Sequence, residues 1–131
     1  MTPSAEPGKR LAECTGMNGC SAHQNDSKPS ASTFLAMGAK MELCALGILV
    51  GPEAPLEWMR HSPKVPLAHT AKCIRSVGAR HFVLGTDLGQ SGNPTPADGL
   101  QMFVAGLQAE GISREEIDTM GREVPGALLM G

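Results

Sequence analysis

His81-Phe82-Val83-Leu84-Gly85-Thr86-Asp87-Leu88-Gly89-Gln90 decides the fold of this chain. Phe82, Val83 and Leu84 form a continuous apolar run, the pattern of a parallel strand covered on both faces. Gly85 and Gly89 flank the aspartate and let the backbone turn tightly. Asp87 therefore stands just past the carboxyl end of a strand, the edge where α/β sheets and barrels bind ligands. Two roles are open to it. It orders the loop by accepting backbone N–H bonds, or it serves a site built on that edge.

Working outward, Ser91-Gly92-Asn93-Pro94-Thr95-Pro96 is turn chemistry. Asp98 is read as the cap of a following helix. Leu100, Phe103, Val104 and Leu107 recur at helical spacing on one stripe, and Gly111 ends it. Ser113 and Glu116 form a capping box for a second helix, with Ile112 and Ile117 at the staple positions. Ile117, Met120 and Val124 supply its apolar face. Val124-Pro125 is expected to stop it, because a residue before proline avoids the α region.

Upstream, Ser32-Thr33 is placed to cap a short helix through Phe34, Leu35 and Met37 that ends at Gly38. Lys40 to Val50 reads as a strand, with Met41, Leu43 and Ala45 on one face and Glu42, Cys44 and Leu46 on the other. Glu42 is the odd member. It is expected to be salt-bridged at the strand's beginning with Lys40 or Arg80; the other reading has it among polar groups inside a barrel. Gly47 to Gly51 would form a loop on the active edge. Glu53 to Arg60 makes about two helical turns before His61-Ser62-Pro63. Leu67 to Val77 reads as a helix with Leu67, Ala71, Ile74 and Val77 inward, ended by Gly78. The resulting strand–helix–strand crossover implies two parallel strands.

These motifs together carry a resemblance. Gly85-Thr86-Asp87-Leu88-Gly89-Gln90, Asn93-Pro94-Thr95-Pro96, Asp98-Gly99-Leu100 and Gly111-Ile112-Ser113 with Glu115-Glu116-Ile117 resemble the last strand and closing helices of a metal-dependent amidohydrolase-type (β/α)8 barrel, in a poorly characterised branch of that superfamily. Gly38-Ala39-Lys40-Met41-Glu42-Leu43, Ala45-Leu46-Gly47 and Ile74-Arg75-Ser76-Val77-Gly78-Ala79 extend the likeness, which covers roughly positions 33 to 131. It implies an α/β fold that is a partial (β/α) barrel, roughly the last two strand–helix units. By the same resemblance Asp87 is both the catalytic residue and a metal ligand: the family's aspartate after the final strand binds a divalent metal, zinc above all, or takes a proton from the attacking water.

The sequence also departs from that family. It has no His-x-His, and His23, His61, His69 and His81 do not follow convincing strands. The family's closing Asn-Pro-Ala reads Val124-Pro125-Gly126 here. With 131 residues, the chain is too short for a whole barrel of about 250 residues. A barrel remnant left by truncation is the expectation that fits length, missing histidines and unmatched leader together.

Residues 1–32 form a leader of different composition, expected to be mobile, ahead of the α/β domain at 33–131. Cys14, Cys20 and His23 are three soft donors in it without an evident fourth, so free or oxidised thiols are favoured there over a zinc site. Cys44 and Cys73 are not obvious partners for them, and the four cysteines do not suggest a disulfide scaffold. Eleven basic and thirteen acidic side chains, with three Phe, one Trp and no Tyr, argue against nucleic acid as a partner. The longest apolar run, Cys44 to Val50, is too short to span a bilayer. The first residues lack a secretory pattern. A cytoplasmic protein without membrane partners is expected.

Function follows with three alternatives. The chain is a hydrolase using Asp87, a remnant inactive by itself, or an interaction subunit that completes a barrel with another chain. Inactivity of the isolated chain is favoured, because a lone carboxylate binds a divalent metal weakly. Two strands leave sheet edges open, so self-association or pairing with a complementary barrel chain is expected.

Overall fold

The computed structural model describes residues 31–131. Cys14, Cys20, His23 and nearly all of the expected leader lie outside them. The described elements are α1 (Ala31–Ala36), β1 (Met41–Cys44), two single turns α2 (Leu46–Leu49) and α3 (Glu57–Arg60), α4 (Leu67–Val77), a 3-10 turn (Ala79–His81), β2 (Phe82–Gly85), α5 (Pro96–Ala109), α6 (Arg114–Asp118), a π-helical turn (Thr119–Glu123) and α7 (Val124–Met130).

β1 and β2 pair in parallel, Met41 against Phe82 through to Cys44 against Gly85, and form a two-stranded sheet. The register puts Met41, Leu43, Phe82 and Leu84 on one face. That face meets Ala71, Ile74 and Val77 from α4, Phe103 and Leu107 from α5, and Met120 from the π-helical turn in one core. Phe82 and Ile74 are fully buried. Helices thus cover one face of the sheet. The other carries Glu42, Cys44, Val83 and Gly85, none of them buried. Mixed α/β structure with two parallel strands agrees with the sequence reading.

Four local readings are corrected. The strand expected over Lys40 to Val50 stops at Cys44. Ala45 and Leu46 still donate to Gly85 and Thr86 (3.1 and 3.0 Å), but Ala45 is already in the α region and the chain curls into α2. A short apolar run does not separate strand from helix by period. Here the helical turn brings Leu46 and Leu49 against Val50, Ala54 and Met59 in a second small core. The helix expected over Glu53 to Arg60 keeps only its last turn; the Arg60 side chain donates from Nε to the Ala54 carbonyl at 2.8 Å and holds the preceding bend.

Thr95, not Asp98, caps α5. Its hydroxyl accepts from the Asp98 amide at 3.2 Å and donates to the Asp98 carboxylate at 2.8 Å. Pro96 is well suited to the first helical position, where its missing N–H costs nothing, so the helix starts two residues ahead of the expected cap. Val124-Pro125 does not end the last helix. Thr119–Glu123 widens to a π turn and the chain stays helical to Met130. The wider turn relieves the clash of the Pro125 ring with the preceding carbonyl. It also keeps Met120 and Val124 buried.

Other expectations agree. α4 spans Leu67–Val77 and ends at Gly78 with φ +107. Gly111, with φ +90, closes the turn after α5. Ser113 and Glu116 make the reciprocal capping box, at 3.1 and 2.8 Å. One further reading is corrected: Ser32 and Thr33, read as a cap, lie inside α1, which already begins at Ala31.

Candidate functional site

Asp87 lies two residues beyond β2, on the carboxyl edge. The backbone turns at Asp87 itself, which has φ +53 and is the one non-glycine with positive φ among the described residues. The left-handed region is uncommon for side-chain-bearing residues, with aspartate and asparagine its most frequent exceptions. The loop's internal bonds come from its neighbours. Thr86 Oγ1 accepts from the Leu88 amide at 3.4 Å, Gln90 Nε2 donates to the Asp87 carbonyl at 2.9 Å, and Asn93 Nδ2 donates to Gln90 Oε1 at 3.0 Å. The Asp87 carboxylate takes no part in this ordering and is exposed.

Glu42 and Cys44 share the bare face near that edge. Glu42 is not salt-bridged to Lys40 or Arg80, which corrects the expectation for it. Its carboxylate folds across the ladder over Gly85, where an added Cβ would collide with Glu42 Oε1. Missing a side chain, Gly85 leaves the room that draws Glu42 toward the carboxyl end. The Cys44 thiol lies near the Glu42 carboxylate on this face. Burial pushes the Cys44 thiol from 9.0 up to about 11, and the Glu42 and Asp87 carboxylates act in the same direction. Thiolate is therefore on the order of a hundredfold scarcer than at an ordinary cysteine. We expect Cys44 to alkylate about a hundredfold more slowly than a free thiol at pH 8, and Glu42→Gln to speed it. Peptide mass spectrometry of Cys44 after timed iodoacetamide treatment measures both.

Beside Cys44 a pocket of about 20 Å³ is lined by Glu42, Ile48, Val65, Thr70 and Phe103 among others. It has room for about one water molecule. Thr70 is buried and its hydroxyl donates to the Pro66 carbonyl at 3.5 Å.

The histidines stay away from this edge. His61 caps the C-terminal end of α3. His69 lies on α4, 3.7 Å from the Cys73 sulfur. His81 is in the 3-10 turn at the amino end of β2, and its Nε2 is buried without a hydrogen-bond partner. Desolvation, with the Lys40 and Arg80 charges, holds its imidazole below the ordinary 6.5. Well above pH 6.5 the folded and unfolded chains both leave it neutral, and it contributes no pH dependence. As pH falls through 6.5 the unfolded chain takes up the proton first, so stability falls. Melting curves between about pH 8 and about pH 5 should show this loss, with a shallower slope in His81→Gln.

Among the described residues no three of His, Cys, Asp and Glu are grouped as a metal ion would require. With Cys44 holding its proton, Glu42 and Asp87 are the charged donors that the described residues bring to this edge. Those residues alone therefore do not fit the zinc site that the resemblance implies. Cys44 is a free thiol; Cys73, expected to be no obvious partner, is disulfide-bonded, which corrects the reading for it. Among the described residues no helix is long and apolar enough to cross a membrane.

Sequence reading singled out Asp87 and placed Glu42 and Cys44 on one face by alternation. It missed Gly85 as the residue that lets Glu42 reach toward the carboxyl end, and Thr70 in the pocket, because both depend on pairing across the chain. Compared with known proteins, the chain matches no family model, no curated protein and no solved structure.

Proposed function

We propose that the chain is the C-terminal portion of an amidohydrolase-like hydrolase, with Asp87 as the carboxylate that accepts a proton from the attacking water. On this reading the chain is inactive alone and acts once a complementary polypeptide adds the remaining strands, together with any further ligands a divalent metal needs. The observation that supports it is the Asp87 carboxylate, exposed at the carboxyl edge of two parallel strands and not used to order its own loop. The sheet's bare face, polar near that edge, has the character of a barrel interior, while the helices lie where a barrel's outer layer would be.

A catalytic carboxylate must meet a water within about 3 Å. The small pocket beside Cys44 is lined by Glu42 and not by Asp87, so on this reading the water sits in the space that the added strands enclose.

The test is co-expression with the product of a neighbouring reading frame that carries the His-x-His half. Expected are co-purification, stoichiometric divalent metal by elemental analysis, and hydrolysis of a chromogenic amide or ester. Asp87→Asn should reduce hydrolysis by about two to four orders of magnitude with the complex intact. Hydrolysis that survives Asp87→Asn, or a variant that loses stability where no activity existed, overturns the proposal.

A further inference from the structure

Charge is sorted by end along the sheet. Lys40 and Arg80, both exposed, stand at the amino ends of β1 and β2. Asp87 lies beyond the carboxyl end of β2, and the Glu42 carboxylate reaches over Gly85 at the same end. No ion pair joins any of the four to another described residue. β2 has a partner strand on one side only among the described residues, and such an edge offers backbone N–H and C=O groups to another strand.

We propose that the outer edge of β2 pairs antiparallel with β2 of a second copy of this chain, with Arg80 of each copy set against Asp87 of the other. Charge complementarity selects this occupant and direction. Parallel pairing of two copies would bring Arg80 onto Arg80 and Asp87 onto Asp87. Antiparallel pairing about a two-fold axis brings opposite charges together twice. An antiparallel alignment of Phe82–Gly85 with itself, centred on Val83 or on Leu84, puts the 3-10 turn that carries Arg80 in one copy beside the turn that carries Asp87 in the other. A two-fold contact closes on itself, so the product is a dimer with a four-stranded sheet rather than a filament. A complementary polypeptide that completes a barrel would occupy this same edge, so the homodimer is the state of the chain by itself; the inference stands on edge and charge and needs no hydrolase activity.

The experiment is light scattering after size exclusion, and sedimentation for the dissociation constant, on the full chain at low salt and at roughly 1 M salt. A dimer at low salt whose dissociation constant rises about tenfold or more at high salt is expected. Arg80→Glu and Asp87→Arg should each give monomers, because each sets like charges together in a homodimer. Mixing the two variants should restore a dimer. The glutamate introduced at position 80 of one copy then meets the arginine introduced at position 87 of the other, and the native Arg80 meets the native Asp87. Circular dichroism of each variant, recorded alongside, shows whether it is folded. A wild-type monomer at all concentrations, a dimer indifferent to both substitutions, open-ended assemblies, or no recovery from two folded variants on mixing each overturns the proposal.

Discussion

Phe82→Ala is expected to bring this protein to the edge of unfolding. Phe82 opens β2 opposite Met41 and is fully buried in the main core. Helices α4 and α5 and the π-helical turn all contribute side chains to that core, so little can collapse into the vacated space. Removing a buried phenylalanine costs about 3–5 kcal/mol, a transfer loss plus a cavity. A domain of this size has about 5–15 kcal/mol in total. Urea titration followed by circular dichroism should show a much lower midpoint or no cooperative transition. Val83→Ala, one residue on, serves as the control. Val83 faces the bare side, and its truncation should cost on the order of 1 kcal/mol. Equal losses at 82 and 83 would mean that the second face is as well packed as the first.

At position 87 backbone and chemistry separate. The left-handed backbone at φ +53 is tolerated by Asp and Asn and is easy for Gly. At roughly 1 M salt, where the charge pairing proposed above is screened, Asp87→Asn should leave the melting temperature nearly unchanged, since the carboxylate orders no part of its own loop. Asp87→Gly should be close to neutral, because relief of the backbone is offset by a more flexible unfolded chain. Asp87→Val is the large change. A β-branched side chain in this region costs about 1–3 kcal/mol. Thermal melts of the three variants rank them directly. If Asp87→Asn loses as much as Asp87→Val, the carboxylate has a structural task and the functional reading of this residue fails.

How far the sequence could be read depended on the range of the interactions involved. The α4 helix, the capping box at Ser113 and Glu116, and the glycine stops at Gly78 and Gly111 were legible because each rests on residues within one or two turns. The Lys40 to Val50 strand was half wrong for the opposite reason. Whether Leu46 to Leu49 continues a strand or coils into a turn depends on Val50, Ala54 and Met59 being there to receive its side chains. The Val124-Pro125 stop failed similarly. Burial of Met120 and Val124 favours a helix that continues, and one widened turn admits the proline.

The site shows the same division. Asp87 was legible as a polar residue between glycines after an apolar run. Its φ was not, since Gly85 and Gly89 looked like the natural turning points. Glu42 was assigned a nearby cation, because charge opposite charge is the simplest pairing a linear reading offers. In the fold its nearest opportunity is the space over Gly85, on the neighbouring strand.

Taken alone, the sequence determined the alternation of helix and strand, the parallel pairing of two strands, the inward face of α4, Phe103 and Leu107 (but not the exposed Leu100) on the inward face of α5, and Asp87 at the carboxyl edge. These follow from periodicity, caps and chain direction, all local. Only the tertiary structure decided which sheet face the helices cover, that Glu42 lies over Gly85 instead of beside a cation, and that cations and carboxylates gather at opposite ends of the sheet. Each of those depends on the register between two strands far apart in the chain, which hydrophobic burial across the whole core selects and no short window of sequence contains.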